Sequence, residues 1–357
     1  MKHLTEYRDS QLIGQLLKMI AARVSQPWVL MEVCGGQTHS IVKYGLEQLL
    51  PAGIELLHGP GCPVCVTPAS TIDQAISLAR RPQVLFCSYG DMLRVPGSGH
   101  SLLEAKAAGA DVRMVYSPLD ALALARDNPD RQIVFFAIGF ETTAPATAIA
   151  LQTARAQQLA NFSVLVAHFL VPPALASIAT ANSSRLQGLL APGHVCAVTG
   201  MAEYQALAAR YHLPIVITGF EPADILQGIL QCVEQLESGQ AYACNAYSRV
   251  VRDAGNSLAQ EAVSTVFQTA DQEWRGIGII ERSGLQLRAE YQQFDAGLAT
   301  TSNAPAAQEE CISGAIMLGL KKPQQCPHFG TRCRPEHPLG APMVSSEGVC
   351  AAYFQYH

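Results

Sequence analysis

The chain has 357 residues, of which 49% are hydrophobic and 15% charged, and its formal net charge is −5. This composition is typical of a globular protein and argues against a disordered one. The length predicts two or three domains. The negative charge, together with the lack of a basic run, argues against a nucleic-acid partner.

The N-terminal stretch and the longest apolar runs bear on location. MKHLTEYRDSQLIGQLLKMIAARV contains acidic residues and predicts an amphipathic helix rather than a signal peptide. No apolar run approaches the roughly 18 residues of a membrane span, so we expect no membrane segment. Eleven cysteines in a chain without an export signal predict the reducing cytoplasm, where cysteines more often bind metals or react than form structural bridges.

Short apolar runs alternate with helix-like segments through the first two thirds of the chain. In order, the runs are WVLMEV, IELLH, QVLFC, VRMVY, QIVFFAIG, FSVLVAHFL, HVCAVTG and PIVITG. Continuous runs of Val, Ile, Leu and Phe that alternate with helices indicate parallel sheets covered on both faces. We therefore predict an α/β protein with about eight buried strands.

Eight strands could close one barrel, but a weak repeat of Gly-Phe-Glu after a strand, at residues 139–141 and 219–221, favours two open sheets. We predict two Rossmann-like open parallel-sheet domains, residues 1–138 and 139–238, and a smaller C-terminal domain, residues 239–357. Ligands of open α/β sheets bind beyond the carboxyl ends of strands, so the crevice between the two domains is the predicted site. The strand-end residues expected there are Cys34, Cys62, Cys65, Asp91, Glu141, His168 and Glu221.

The C-terminal segment carries four cysteines in a stretch rich in proline and glycine, without helical or strand periodicity. Such a segment usually needs a covalent or metal staple. Thiolates suit zinc or an iron–sulfur cluster. The gaps, C-x14-C, C-x6-C and C-x16-C, lack the close pairs of zinc sites and favour a cluster wrapped by a long loop. Disulfides or scattered buried thiols are the alternatives. The four residues are Cys311, Cys326, Cys333 and Cys350.

Cys34 follows the first predicted strand and precedes two glycines, so backbone amides can approach whatever its sulfur holds. The dipole of the following helix would favour a thiolate. His39, in the same segment, is a candidate ligand, acid or base. The alternative is a buried strand-end cysteine without a chemical role.

Cys62-Pro-Val-Cys65 is a C-x-x-C pair in a turn before a helix. This spacing closes a small disulfide and suits dithiol–disulfide exchange. It could also form half of a zinc site, although no second close pair exists to complete one, or be chemically inert.

Several other residues are weaker candidates. Glu141 and Glu221 occupy matching strand-end positions, where a carboxylate can act as an acid or base, bind a partner's cation or cap the next helix. His58 and His168 are plausible site members. No P-loop or G-x-G-x-x-G is present, so neither an NTPase nor a dinucleotide enzyme is indicated.

Taken together, these motifs resemble the HypD family of hydrogenase maturation factors, and the resemblance spans nearly the whole chain. Each motif is modest alone, but their order and combination are specific. The matching blocks are Cys34-Gly-Gly-Gln-Thr-His39, Gly59-Pro-Gly-Cys-Pro-Val-Cys65, Gly139-Phe-Glu-Thr-Thr143, Thr218-Gly-Phe-Glu-Pro222 and Pro342-Met-Val-Ser-Ser-Glu-Gly-Val-Cys350.

The resemblance implies a scaffold for the Fe(CN)2CO unit of [NiFe] hydrogenases. A HypC-type small chaperone would be its partner, a HypE-type protein would donate cyanide, and the hydrogenase large subunit would be served indirectly. Cys34 would bind the iron, with the chaperone's N-terminal cysteine as a second ligand. Cys62 and Cys65 would be the redox pair. The four C-terminal cysteines would hold a [4Fe–4S] cluster, with His328 as a possible competitor beside Cys326.

The chemistry of the residues is consistent with this role, because soft thiolate suits low-spin iron whose remaining ligands are cyanide and CO. We expect His39 and Glu141 to assist as acid or base, and no stand-alone turnover of small molecules. The alternatives are an iron–sulfur thiol–disulfide oxidoreductase and a cluster-dependent hydro-lyase. A purely structural metal-stapled module would leave Cys34 and the C-x-x-C pair without a purpose.

Overall fold

The structure, a computed structural model, describes residues 5–297 and 310–356. Its strands lie in two parallel sheets and one antiparallel hairpin. The strands are β1 (Trp28–Glu32), β2 (Ile54–His58), β3 (Val84–Ser88), β4 (Val112–Met114), β5 (Gln132–Gly139), β6 (Phe162–His168), β7 (Gly188–Pro192), β8 (Ile215–Thr218), β9 (Ala243–Asn245), β10 (Phe267–Trp274) and β11 (Gly278–Leu287).

Helices follow most of the parallel strands and cover the sheets. Their starts carry the expected signals: Asp9 caps the first helix, and Ser101 and Ser117 form capping boxes. The helices are α1 (Ser10–Arg23), α2 (Gly35–Lys43), α3 (Leu46–Leu49), α4 (Pro63–Val66), α5 (Ala69–Ala79), α6 (Leu102–Ala107), α7 (Pro118–Asp127), α8 (Ala144–Ala156), α9 (Val171–Thr180), α10 (Gly193–Thr199), α11 (Ala202–Tyr211), α12 (Pro222–Glu237), α13 (Ser257–Val266), α14 (Ser313–Met317) and α15 (Val349–Tyr356).

The two parallel sheets confirm the predicted class, an α/β protein with two Rossmann-like open sheets. The first sheet has the strand order β2-β1-β7-β8-β9 and the second has β4-β3-β5-β6. Every residue of β3 is buried, as its continuous apolar sequence predicts for a strand covered on both faces. Among the described residues, no helix has the length and apolar character needed to cross a membrane.

The chain enters the first sheet, leaves it to build the second, and then returns. Strands β1 and β2 pair with each other, β3 to β6 form the second sheet, and β7 pairs with β1. The predicted boundary at residue 138 falls inside β5, and residues 139–238 contain strands of both sheets. The boundaries at 138 and 238 therefore do not follow the division of strands between the sheets. Apolar runs identify strands, but they do not say which strands pair.

One predicted strand is wrong. The run HVCAVTG belongs to α10, and the strand of that region is the preceding GLLAP, β7. Its terminal glycine and proline are residues that usually argue against a strand. Gly188 is required there because a Cβ atom would collide with the Cys232 sulfur and would lie 2.8 Å from the Leu30 side chain.

The antiparallel hairpin of β10 and β11 was not predicted, and it joins the α/β cores. Trp274 at the end of β10 is fully buried, stacks on Phe140 and contacts the ring of Phe169 edge-on. Its indole Nε1–H donates a 2.8 Å hydrogen bond to Ser283 Oγ in β11. Part of the predicted C-terminal domain thus packs directly against the sheets.

Removing the Trp274 side chain should destabilise the protein strongly, because it leaves a cavity beside two aromatic rings. We expect Trp274→Ala to lower the free energy of unfolding by about 3–5 kcal/mol in urea titrations. Leu258→Ala, at a side chain that is 76% exposed, is the control and should change it by no more than about 0.5 kcal/mol. Equal effects of the two substitutions would contradict the packing described here.

Candidate functional site

Parallel pairing of β1 with β2 brings the two predicted cysteine loops together. Glu32 pairs with His58 at the carboxyl ends of the strands, so the loops that follow lie side by side. The Gly35 N–H donates a 2.9 Å hydrogen bond to the Gly61 carbonyl oxygen. A Cβ atom on Gly61 would lie only 2.5 Å from the Cα of Cys34, so glycine is required at this contact.

A disulfide joins Cys62 and Cys65, whose Cα atoms are 5.2 Å apart. Cys62 is the N-cap of α4, and both residues are buried. A narrow cleft touches this pair, the start of α2 and the C-terminal segment. Its lining includes Gly35, Thr38, Gly61, Cys62, Cys65, Met317, Pro342, Glu347 and Val349. The disulfide therefore lies between the Cys34 loop and the segment that carries Cys350.

Cys34 is the N-cap of α2 and is 5% exposed. The backbone N–H groups of Gly36 and Gln37 lower the pKa of its thiol, as expected at a helix N-terminus. Burial has a larger and opposite effect, to which the charge of Glu32 adds, and together they raise the pKa to about 12. The helix start thus favours the thiolate, as expected, but burial outweighs this effect and the net pKa shift is upward.

His194 is a site residue that we did not predict. Its Nδ1 atom lies 3.8 Å from the Cys34 sulfur, because β7 pairs with β1 and α10 starts directly after β7. Burial lowers the pKa of His194 to about 4, so the imidazole is neutral at pH 7. The apolar run HVCAVTG predicts a strand and so hides His194, whereas the preceding Pro192-Gly193 pair is the signal of a break.

The C-terminal segment lies over the Cys34 loop. The Glu347 carbonyl oxygen lies where a Cβ atom on Gly35 would point, so that glycine admits the segment. Ser345 Oγ donates a 2.8 Å hydrogen bond to Asp91, and the Arg94 guanidinium donates one of 2.9 Å to the Val344 carbonyl oxygen. Asp91, a predicted strand-end residue, thus holds this segment in place.

The four C-terminal cysteines influence one another electrostatically. Burial raises the pKa of Cys350 well above its usual value, and the charges of Cys311, Cys333 and Cys326 raise it further. Cys333 and Cys350 are buried, whereas Cys311 and Cys326 are half-buried. Within residues 5–297 and 310–356, no three His, Cys, Asp or Glu side chains are grouped closely enough to hold a single metal ion.

Local contacts support the same segment. A side chain on Gly340 would collide with the Cys311 sulfur, and the Leu339 N–H points at the Cys333 sulfur from 3.4 Å. His328, the possible competitor for Cys326, has its Nε2 atom 3.6 Å from a Glu310 carboxylate oxygen. The backbone at Gly340 and Leu339 therefore packs closely around the Cys311 and Cys333 sulfur atoms.

The remaining predicted residues have identifiable partners. His39 Nε2 lies 3.2 Å from the Tyr356 hydroxyl. Glu141 accepts a 2.7 Å hydrogen bond from the Val171 N–H at the start of α9, and burial raises its pKa to about 8. His168 is buried 3.2 Å from Thr147 Oγ1. Glu221 is the N-cap of α12, and it forms an ion pair with Arg8 that includes a 2.8 Å hydrogen bond.

The raised pKa of Cys34 predicts an unusual pH dependence of its rate of reaction with iodoacetamide. A thiol reacts with iodoacetamide as its thiolate, so a pKa of about 12 means that the labelling rate of Cys34 should still rise about tenfold per pH unit between pH 7 and 10. A small-molecule thiol of ordinary pKa, about 8.5, levels off within this range. Mass spectrometry of the Cys34 peptide measures the rate. A plateau below pH 9 would contradict the pKa assignment.

Comparison with known proteins places the chain in one family. The family model HypD, described as the hydrogenase formation hypA family, matches residues 11–357. The hydrogenase maturation factors HypD of Rhodobacter capsulatus and of Escherichia coli are 49% and 48% identical to this chain, over all of it and 98% of their own length. HypD2 of Bradyrhizobium diazoefficiens is 48% identical over all of this chain and 97% of its own. The chain belongs to the HypD family of hydrogenase maturation factors.

Proposed function

We propose that this chain is the scaffold on which the Fe(CN)2CO unit of a [NiFe] hydrogenase is assembled. The observation that carries the proposal is the meeting of three features at the carboxyl ends of β1 and β2. These are the loop of the buried Cys34, the Cys62–Cys65 disulfide and the cysteine-bearing C-terminal segment; Gly35, the disulfide and Glu347 border one narrow cleft. A merely stable fold would not require two reactive sulfur groups at one sheet edge.

Cys34 is the proposed ligand of the iron that the scaffold carries as its cargo. A soft thiolate is a suitable donor for iron whose other ligands are cyanide and CO. The thiol has a pKa of about 12, so iron binding must displace its proton, which a coordinated metal readily does. A HypC-type chaperone would supply the second thiolate from its N-terminal cysteine. His39, on the same helix, remains the proposed acid or base for proton movement there.

The Cys62–Cys65 pair, after two-electron reduction of its disulfide by electrons supplied through the proposed cluster, is the proposed reductant for cyanide transfer. A HypE-type donor would carry cyanide on sulfur, as R–S–CN. The Cys62 thiolate would attack the donor sulfur, forming a mixed disulfide and releasing cyanide to the iron. Cys65 would then attack the Cys62 sulfur, freeing the donor thiol and closing the disulfide. Two cysteines are oxidised and one S–C bond is reductively cleaved, so atoms and electrons balance.

Cys311, Cys326, Cys333 and Cys350 are the proposed ligands of a [4Fe–4S] cluster. The electrostatic effect of Cys311, Cys333 and Cys326 on Cys350 supports a shared centre, and each cysteine would contribute one thiolate to a different iron. When bound, the cluster would supply single electrons. Glu141 keeps a proposed acid–base role, with the capping contact to Val171 as the alternative.

The partners follow from the same proposal. They are a HypC-type chaperone, a HypE-type cyanide donor and, indirectly, the hydrogenase large subunit, and the location is the cytoplasm. The second candidate function is a thiol–disulfide oxidoreductase, favoured only by the disulfide itself. Because both Cys62 and Cys65 are no more than 3% exposed, unassisted exchange with small soluble thiols is disfavoured. A hydro-lyase would need an open iron site, and four candidate thiolates argue against one.

Substitution of either sulfur group should stop maturation. In cells whose own copy of the gene is deleted, we expect Cys34→Ala and Cys62→Ala each to reduce hydrogenase activity to background, because one removes the iron ligand and the other the attacking thiol. Cys244→Ala, at a half-buried cysteine in β9, is the control and should retain activity. If Cys62→Ala loads cyanide normally while Cys34→Ala does not, the proposed role of the dithiol is wrong.

A further inference from the structure

A continuous chain of hydrogen bonds begins at the backbone of Cys34. The Cys34 N–H donates a 2.8 Å hydrogen bond to the Glu32 carboxylate. The same carboxylate also accepts a hydrogen bond from the Thr38 hydroxyl. His58 Nδ1 lies 2.7 Å from Glu32, and His58 Nε2 lies 2.8 Å from the Tyr353 hydroxyl. Glu32, His58 and Tyr353 are all no more than 3% exposed.

The chain of hydrogen bonds continues to the protein surface. The Tyr353 hydroxyl donates a 2.7 Å hydrogen bond to Glu47 in α3, and the Lys322 ammonium donates one of 2.6 Å to the same carboxylate. The same hydroxyl lies against His58 Nε2, so it links the imidazole to Glu47. Glu32, which already accepts from Cys34 and Thr38, accepts from His58 Nδ1–H as well.

These side chains connect parts of the fold that are distant in sequence. Glu32 and Cys34 follow β1, and His58 ends β2. Tyr353 belongs to α15, where Cys350 precedes it by three residues and so occupies a neighbouring position on the same side of the helix. The conformation of the loop at Cys34 is therefore tied, through two side chains, to the helix that carries one of the four C-terminal cysteines.

We propose that the chain Glu32–His58–Tyr353–Glu47 is a positioning device for Cys34. The hydroxyl of Tyr353 completes it, so the Cys34 backbone takes its final conformation only when α15 is docked. The segment that carries Cys311, Cys326, Cys333 and Cys350 would then influence the iron-binding cysteine mechanically, without contributing a ligand to it. This proposal rests on the proposed function for the role of Cys34, but not for the coupling itself.

Burial and connectivity favour a positioning role over simple packing. A buried polar side chain is expensive unless it is fully hydrogen-bonded, and an apolar residue of similar shape would pack as well at no such cost. Here a glutamate, a histidine and a tyrosine are buried in series, and the series ends on the N–H of Cys34 itself. Networks of this kind specify one conformation, and loss of one member leaves the next unsatisfied.

The test is the labelling rate of Cys34 in the full-length protein without added iron. Tyr353→Phe removes the hydroxyl and breaks the chain while keeping the ring. We expect it to raise the iodoacetamide labelling rate of Cys34 about tenfold at pH 8, measured by mass spectrometry of the Cys34 peptide. Labelling of Cys232, which is buried elsewhere in the first sheet's core, should stay unchanged and reports that the fold is intact.

The matched control is Tyr356→Phe, which makes the same chemical change one turn later in α15. Tyr356 contacts His39 and not the Glu32 chain, so this variant should label Cys34 at the parent rate. If Tyr353→Phe folds and leaves the rate unchanged, or if both variants raise it equally, the proposal is overturned. In the second case general anchoring of α15, rather than the hydrogen-bond chain, would position Cys34.

A second variant covers the case in which Tyr353→Phe does not fold. Glu47→Leu keeps much of the side-chain volume but removes the oxygens that accept from Tyr353 and Lys322, and it should raise the labelling rate of Cys34 in the same direction. An unchanged rate in this folded variant would also overturn the proposal. Because no iron is present, a changed rate supports the coupling even if Cys34 proves not to bind iron, so the two proposals fail separately.

Discussion

The site depends on one register, the parallel pairing of β1 with β2 that sets Glu32 opposite His58. Because both strands end at this pair, the Cys34 loop and the Cys62–Cys65 loop leave the sheet side by side. The same two residues begin the hydrogen-bond chain to α15. A shift of one residue would turn Glu32 and His58 to opposite faces and separate all of these contacts.

Much of the fold could be predicted because parallel strands buried on both faces have a plain signature. Runs such as QVLFC and QIVFFAIG are continuous apolar segments, and both are strands. This signature fails for strands whose sequence is not a continuous apolar run. β7 begins with glycine and ends with proline, and half of the residues of β10 are exposed, so neither looks like a buried strand. The return of the chain to the first sheet depends on pairing between distant strands, which local sequence does not encode.

The candidate site also contains residues that local sequence predicts and residues that it does not. Cys34, Cys62 and Cys65 could be identified because strand ends, glycines and C-x-x-C spacing are local features. His194 could not, because its place beside Cys34 requires both the correct strand, β7, and its pairing with β1. The direction of the Cys34 pKa was also beyond local sequence, because burial outweighs the helix N-terminus and is known only from the packed structure.

Infrared spectroscopy tests the scaffold most directly. The protein would be purified without oxygen after co-expression with a HypC-type chaperone, and iron and sulfide would be quantified in the same samples. The proposed function predicts metal-bound CO and CN stretching bands in the parent and their loss in Cys34→Ala, with the cluster content unchanged. Absence of these bands in a parent protein that binds iron and sulfide in cluster proportion would contradict the scaffold and favour an oxidoreductase.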